Sequence, residues 1–149
     1  MRHIALAALV AAAVTGCARP APPAPEFINL VDPSPYPFSS AVRAGDFLFL
    51  SGQIGTRVED GKSVLVPGGI ETETKQTFEN IKATLAKANS SLDRVVKCTV
   101  MMADMAEWPK MNEIYATYFP GKKPARSAFG ATALALGARV EIECLALAK

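Results

Sequence analysis

The chain of 149 residues has a single histidine, His3, close to its start. If residues 1–16 are removed as an export signal, no histidine remains, which excludes a Ser-His-Asp triad, a Cys-His pair, a histidine-ligated zinc and an imidazole acid or base. Any catalysis must therefore use carboxylates, water, lysine, hydroxyls, thiols or arginine.

A large excess of charge of either sign is also missing. The chain carries 16 basic and 14 acidic residues, and loss of residues 1–16 would remove one of the basic ones, Arg2. A nearly neutral chain gives no electrostatic reason to bind nucleic acid, so we expect no nucleic-acid partner.

Cysteines are few. Cys98 in "VVKCTVMM" and Cys144 in "EIECLAL" lie in strand-like runs and are expected to be packed thiols. An exported location would permit a disulfide, but the sequence does not show whether the two residues are close, so pairing stays open. A catalytic thiol lacks a visible activating base.

The start "MRHIALAALVAAAVTGC" has a basic residue, an apolar stretch and small residues before Cys17, the pattern of an export signal. The apolar stretch is shorter than the about 20 residues that span a bilayer. "VTGC" resembles the lipobox of bacterial lipoproteins, although an ordinary secretory signal is the alternative. We predict a lipoprotein signal peptide over 1–16 and lipidation at Cys17. This would anchor an exported protein at the periplasmic face of the cell envelope.

The remaining chain divides into two parts. The stretch "ARPAPPAPEF" has four prolines, which favour extended backbone, so residues 17–33 are predicted to be a tether. Residues 34–149 have the length of one ordinary domain.

Hydrophobic periodicity predicts an α+β fold. Helical spacing covers residues 70–88, and a second helix should begin near Trp108 and Pro109 and carry an apolar stripe through Met111, Tyr115 and Tyr118, expected to be core. Strands are predicted in a hairpin around "RAGD" that includes Phe47–Ser51, in "DRVVKCTVMM", at Ser127–Ala133 and at Arg139–Leu147. A long loop with a short strand at Ser63–Val66 is predicted between the hairpin and the first helix. This order indicates a two-layer sandwich in which two helices cover one sheet face.

Alternation within strands predicts which side chains share a face. Val96, Cys98 and Val100 are expected on one side of their strand. In the last strand Glu141, Glu143, Leu145 and Leu147 should point away from Val140, Ile142, Cys144 and Ala146, which makes a mixed face suited to a subunit interface.

Arg126 opens the apolar run Ser127–Leu136, and the first acidic residue after it is Glu141. Three interpretations of Arg126 stay open: a solvated surface charge, an ion pair with Glu141 or Glu143, or a group that clamps a ligand carboxylate by binding both of its oxygens. A planar guanidinium on a rigid strand suits the clamp. Gly52, at another strand end, would let a ligand approach main-chain amides.

Glu141 is the candidate acid opposite this arginine. Near an apolar interface its pKa should rise, which would fit it to activate water, although an exposed strand residue or a partner for Arg126 is an open alternative. Ser51 and Asn112 could orient a ligand or serve as ordinary capping and loop residues.

Five motifs, "FSSAVRAGDFLFLSGQIG", "TKQTFENIKATLAKANSSLDRVVKCTVMMADM", "NEIYATYF", "PARSAFG" and "GARVEIECLA", resemble the successive signatures of the Rid/YjgF family of reactive-intermediate deaminases. The resemblance covers most of residues 34–148. It implies a chorismate-mutase-like α+β fold and a homotrimer whose sheets form an inner barrel. It also implies three sites in the clefts between subunits.

Carried over residue by residue, the resemblance makes Arg126 the carboxylate-binding arginine. Gly52 becomes the glycine whose amide assists it. Glu141 becomes the glutamate that positions or activates water, and Ser51 and Asn112 become further substrate-binding residues.

One position departs from the family pattern. Active members carry tyrosine where this chain has Phe38, so a phenolic hydroxyl is missing unless Tyr36 supplies it. The serine at Ser40 and the alanine at Ala135 are milder departures. The change at Phe38 puts rate or substrate choice in doubt more than binding.

The implied reaction is hydrolysis of short 2-imino acids, reached from enamines such as 2-aminoacrylate, to 2-keto acids and ammonia. It implies no cofactor, because an imine is already an electrophile, and we predict no metal site. A non-catalytic module at the cell envelope, binding small carboxylates or shielding apolar protein surface, is the alternative. Ribonuclease activity is a third option that the near-neutral charge disfavours.

Overall fold

A computed structural model describes residues 23–149 of the chain, so the predicted signal peptide and Cys17 lie outside it. The main sheet contains β1 (Glu26–Ile28), β2 (Ala41–Ala44), β3 (Phe47–Leu50), β4 (Gln53–Ile54), β7 (Val95–Met102), β8 (Ala125–Gly130) and β9 (Val140–Leu147). A separate hairpin consists of β5 (Thr56–Glu59) and β6 (Lys62–Leu65), and the helices are α1 (Ile70–Lys87) and α2 (Trp108–Tyr118). Neither of these helices is apolar and long enough to cross a membrane.

The main sheet has the strand order β1-β2-β3-β9-β7-β8, and β4 pairs with β9 as well. Neighbouring strands are antiparallel except β7 and β8, which are parallel. Parallel neighbours cannot be joined by a tight hairpin, so the chain crosses from β7 to β8 through α2. This crossover brings α2 next to β8.

Both helices cover one face of the sheet, and the core lies between the two layers. From the sheet, Leu48, Val100 and Ile142 are fully buried. They belong to one cluster with Phe78 of α1 and Met111 of α2. Burying each such side chain contributes about 1.5–3 kcal/mol. The predicted α+β sandwich is confirmed.

The opposite face of the sheet has no helix over it in the described part of the chain, and we call it the open face. Phe47, Phe49 and Phe129 are 44%, 46% and 48% exposed there. Leu145 lies in register with Phe49, and Leu147 with Phe47. A contiguous apolar face of this kind is typical of a protein–protein interface.

Most predicted elements are confirmed, with boundaries shifted by a few residues. The alternation of the last strand is correct: Val140, Ile142, Cys144 and Ala146 are all buried. The first strand, Glu26–Ile28, pairs with β2, so this part of the predicted tether over 17–33 belongs to the sheet.

The placement of Val96 was wrong. An irregularity between Val95 and Lys97 in the pairing of β7 with β9 breaks the alternation. Val95 is buried in place of Val96, which is 39% exposed. One extra residue in a bulge turns the preceding side chains to the other face.

The predicted long loop contains the hairpin of β5 and β6. Its turn, Asp60 and Gly61, has φ angles of 49° and 75°. Positive φ at both positions matches the Asp-Gly turn that favours two-residue hairpins. The sequence signal was present, but few apolar residues flank it.

The expectation of two packed thiols was also wrong, because Cys98 and Cys144 form a disulfide. They are register partners on β7 and β9, with Cα atoms 4.1 Å apart. Both are almost completely buried on the helix-covered face. The register of two strands distant in sequence brought them together, and the sequence does not reveal that register.

Candidate active site

Arg126 lies near the start of β8 on the helix-covered face. Its Nη2 donates a hydrogen bond of 2.8 Å to Oδ1 of Asn112 on α2. The guanidinium carbon lies 4.5 Å from the ring centre of Tyr115 and 5.6 Å from that of Trp108. Both distances allow cation–π attraction. Helix α2 therefore holds the guanidinium through one hydrogen bond and two aromatic rings.

The guanidinium has no acidic partner among residues 23–149, because no carboxylate oxygen there lies within 4.0 Å of it. Within one chain, the alternative of an ion pair with Glu141 or Glu143 is therefore wrong. Arg126 is half-buried. It lines a cavity of about 250 Å³ with Asn112, Tyr115, Ala116, Phe119, Lys123 and Pro124. A cation held in such a cavity is suited to bind an anion, and its fork matches a carboxylate.

Glu141 lies on β9 and contacts Gly52, just before β4. A Cβ atom at position 52 would lie 2.9 Å from Cδ and 3.1 Å from Cγ of Glu141, and closer still to Oε1. The carboxylate therefore occupies the space that a side chain at position 52 would need. The φ angle at Gly52 is not positive, so the backbone conformation does not call for glycine, and a larger residue would instead displace the Glu141 carboxylate.

The pKa of the Glu141 carboxyl is raised. Partial burial is the main cause, because it disfavours the charged form, and the negative charge of Glu143 adds to it. A carboxyl with a raised pKa exchanges protons more readily near neutral pH. Glu141 can thus act as a base towards water.

Phe38 lies before the β2–β3 hairpin, and Ser51 lies directly after it. The Ser51 hydroxyl donates to the Ser39 carbonyl at 2.7 Å, so it makes an internal loop contact. Phe38 is 53% exposed and stacks on Tyr36, with ring centres 5.3 Å apart. The Tyr36 hydroxyl shares a hydrogen bond of 2.6 Å with Ser63 of the second hairpin.

The sheet separates these residues into two groups. Arg126, Cys98 and Cys144 are register partners, so they point to the helix-covered face. Phe129, Met101 and Glu141 are also register partners and point to the open face. Register partners on neighbouring strands share a face. One chain thus joins Arg126 to Asn112 and Glu141 to Gly52, but it does not bring the two pairs together.

Sequence reasoning missed Trp108 and Tyr115 as neighbours of Arg126 and assigned Tyr115 to the core. The signal was present, because Trp108, Asn112 and Tyr115 follow the spacing i, i+4, i+7 of one helix face. An asparagine within an aromatic stripe is unusual for pure core.

Known proteins match this fold and its residues. A profile of the family described as "Endoribonuclease L-PSP" matches residues 31–148. The chain belongs to this Rid/YjgF (L-PSP) family.

Relatives with assigned names are similar over most of the described chain. A mouse protein named 2-iminobutanoate/2-iminopropanoate deaminase is 44% identical over 111 residues, which cover 74% of this chain and 81% of the mouse protein. Reactive Intermediate Deaminase A, chloroplastic, of Arabidopsis thaliana is 43% identical over 110 residues, covering 74% of this chain and 58% of that longer protein.

Solved structures share the fold. The crystal structure of yeast Mmf1 has a TM-score of 0.77 and 36% identity, covering 85% of this chain and all of that one. E. coli TdcF, solved with bound serine, has a TM-score of 0.70 and 27% identity, covering 78% of this chain and 91% of that one.

Proposed function

We propose that this protein hydrolyses short 2-imino acids, of the 2-aminoacrylate and 2-iminopropanoate type, to 2-keto acids and ammonia. Two relatives about 43% identical carry deaminase names, and the mouse name specifies such imino acids. The observation that carries the proposal is the half-buried guanidinium of Arg126, oriented by Asn112 and without an acidic partner in residues 23–149. Every substrate in this class has a carboxylate to bind there.

In the proposed mechanism Arg126 binds the substrate carboxylate, which fixes the neighbouring C2. A water oxygen adds to C2 while Glu141 accepts a proton from that water. The C=N π electrons move to nitrogen, which is protonated and leaves as ammonia as the C2 hydroxyl becomes the keto group. Holding the reactants in place could supply much of the acceleration, since imines also hydrolyse in water. The reaction requires no cofactor or metal.

The reaction needs both groups at one substrate, and a single chain places them on opposite faces of its sheet. We therefore propose a homotrimer in which the Arg126 side of one subunit meets the Glu141 side of the next. The exposed apolar residues of the open face, such as Phe47 and Phe49, support a barrel of sheets at the centre. Each cleft between subunits would contain one site.

Removal of the guanidinium tests the proposal. The purified full-length protein, with 2-iminopropanoate generated in the assay, should release keto acid faster than buffer does. Arg126→Ala should lower kcat/KM about 100-fold, as expected when one partner of a buried charge pair is lost. Arg57→Ala is a matched control, because Arg57 forms an exposed ion pair with Glu59 on the β5–β6 hairpin. Equal rates for wild type and Arg126→Ala would contradict the deaminase proposal.

A non-catalytic carboxylate-binding or chaperone-like module remains the second candidate. Phe38 has no hydroxyl, and the hydroxyl of Tyr36 is already hydrogen-bonded to Ser63. Binding of pyruvate that depends on Arg126, without faster imine hydrolysis, would favour this candidate. Ribonuclease activity ranks lower, and the absence of a nucleic-acid partner stays a prediction from the near-neutral charge.

We further propose that the protein is exported and anchored through lipidated Cys17 at the periplasmic face of the envelope. The Cys98–Cys144 disulfide supports export, because such bonds persist mainly in oxidising compartments. Mass spectrometry of the N-terminal peptide from membrane fractions should find a diacylated Cys17 with residues 1–16 removed. A Cys17→Ser variant should leave the membrane, and an unmodified Cys17 in the wild type would contradict the anchor.

A further inference from the structure

The proposed reaction assigns no role to Tyr115, although its ring is the nearest aromatic neighbour of the Arg126 guanidinium. The residue is only 6% exposed. Its ring is wedged between two others, 5.4 Å from the centre of Phe78 and 5.1 Å from that of Phe119. These contacts fix the plane of the ring, so the face presented to Arg126 is a rigid one.

The hydroxyl of Tyr115 does not explain why this ring lies here. It is buried and has no hydrogen-bond partner in the structure. Burial raises its pKa, and the positive charge of Arg126 opposes that shift. A buried hydroxyl without a partner costs free energy, so phenylalanine would serve the core as well or better. The ring face is the part of Tyr115 that contacts the guanidinium.

We propose that Tyr115 is a positioning residue for Arg126. The face of its ring attracts the guanidinium and, with the hydrogen bond from Nη2 to Asn112, holds the fork before a ligand arrives. Immobilising a long side chain on binding weakens affinity, and a fork that is already ordered avoids that loss. The other donors, Nε and Nη1, are then available to a carboxylate. This inference rests on the carboxylate site of the proposed function.

A role in packing and a role in positioning predict different responses to ring electronics. Cation–π attraction depends on the negative face of the ring, whereas packing depends on its size and shape. Fluorine withdraws electrons from that face with little change in volume. Replacing Tyr115 by phenylalanine, 4-fluorophenylalanine and 3,4,5-trifluorophenylalanine therefore varies the attraction almost alone, and Tyr115→Leu removes it.

The test measures two properties of each full-length variant. The first is the order of the Arg126 Nε–H group without ligand, from NMR relaxation, and the second is the Kd for pyruvate. Wild type and Tyr115→Phe should have an ordered Arg126 and Kd values within about twofold of each other. Tyr115→Leu should have a mobile Arg126 and a Kd about threefold to tenfold higher. The fluorinated rings should fall between, in order of fluorine number.

Three results would overturn the proposal: fluorinated variants that match phenylalanine, Tyr115→Phe as impaired as Tyr115→Leu, or Arg126 equally ordered in every variant. Thermal unfolding identifies variants that are not folded, and Tyr115→Phe should be at least as stable as wild type. Failure of the proposed function can be distinguished from failure of this inference. If the wild type binds pyruvate but does not accelerate imine hydrolysis, the proposed function fails while the order of Arg126 still decides this inference.

Discussion

The two sides of the sheet carry the two halves of the candidate site, and they differ in how each half is held. Arg126 lies in a cavity, where it is oriented by the hydrogen bond that it donates to Asn112 and by the Tyr115 ring on α2. Glu141 lies on the open face against Gly52, where it is only partly buried. Helix α2, which packs on the sheet, holds Arg126, whereas Glu141 contacts Gly52, which directly precedes β4 of its own sheet.

This difference follows from the alternation of β-strand side chains. Three neighbouring strands place Arg126 on one face and Glu141 on the other. No side-chain rotation can carry a group through a sheet whose neighbouring strands are about 5 Å apart. The helix-covered face therefore carries the proposed binding group and the open face the proposed proton acceptor. This is why the proposed reaction is assigned to a trimer, in which a neighbouring copy would bring the two together.

The largest expected effect comes from mixing two inactive variants. Arg126→Ala and Glu141→Gln should each be nearly inactive alone. If every site takes Arg126 from one subunit and Glu141 from the next, trimers assembled from equal amounts of both should regain about one quarter of their sites. Steady-state rates of co-expressed, co-purified protein measure this recovery.

The control mixes Arg126→Ala with the double variant that also carries Glu141→Gln, which should restore nothing. Native mass spectrometry establishes that mixed assemblies have formed. No recovery from confirmed mixed trimers would mean that both groups of a site belong to one chain, and the comparison between the faces would lose its functional meaning.

The second effect is on stability. Cys98 is in register with both Arg126 and Cys144, and its disulfide links residues 46 positions apart. A link over such a loop is expected to contribute about 4 kcal/mol to the free energy of unfolding. The Cys98→Ala and Cys144→Ala double variant should lose much of this in urea unfolding. Unfolding of the wild type at the same urea concentration with and without strong reductant is the control. Equal stability in all samples would show that the bond is absent in solution.

The sequence predicted the helices and the two-layer arrangement because their signal is local periodicity. Residues 108–118 show helical spacing, and Val140–Leu147 alternates at every position. It did not predict the disulfide or the exposure of Val96. Both depend on how β7 aligns with β9, and no local pattern records that register.

The site was predicted unevenly for the same reason. Arg126 stood out as a charge at the start of an apolar run, whereas the residues alone left the role of Asn112 open and only the family resemblance assigned it to substrate binding. The sequence could not predict that the sheet separates Arg126 from Glu141. Which residues share a face depends on the register of three paired strands, β7, β8 and β9. Tyr115 was missed because an aromatic residue on a helix stripe is usually core.

Gly52 and Gly55 differ in what an added side chain would contact. A Cβ at Gly55 would lie 2.7 Å from the backbone of Glu73, which cannot move easily, whereas the three atoms nearest to a Cβ at Gly52 all belong to the Glu141 side chain. Gly55→Ala should therefore lower the free energy of unfolding by about 1–3 kcal/mol. Gly52→Ala should unfold nearly like wild type but lose deaminase rate as the carboxylate moves. Urea unfolding measures the stability of both variants, and the deaminase assay measures their kcat. A kcat that is unchanged in Gly52→Ala would show that Glu141 takes no part in the reaction.

The smallest effect concerns protonation of Glu141, whose pKa is raised by partial burial and by Glu143. A raised folded-state pKa means that the protonated carboxyl favours the folded state. This contribution is complete below the unfolded-state pKa of about 4.3 and is lost as the pH rises through the folded-state pKa. As the pH rises from the unfolded-state pKa of Glu141 through its folded-state pKa, Glu141→Gln should therefore gain stability relative to wild type, by about 0.5 kcal/mol or less.

Activity should change in the opposite direction, because only the ionised carboxylate accepts a proton from water. The kcat of the wild type should rise with pH over the interval in which its relative stability falls. Glu143→Gln removes the neighbouring negative charge and should shift both curves to lower pH. Thermal unfolding and initial rates from pH 4 to 8 measure the two curves. A Glu141→Gln variant that loses stability relative to wild type as the pH rises would show that a partner, absent from the single chain, stabilises the charge and lowers this pKa.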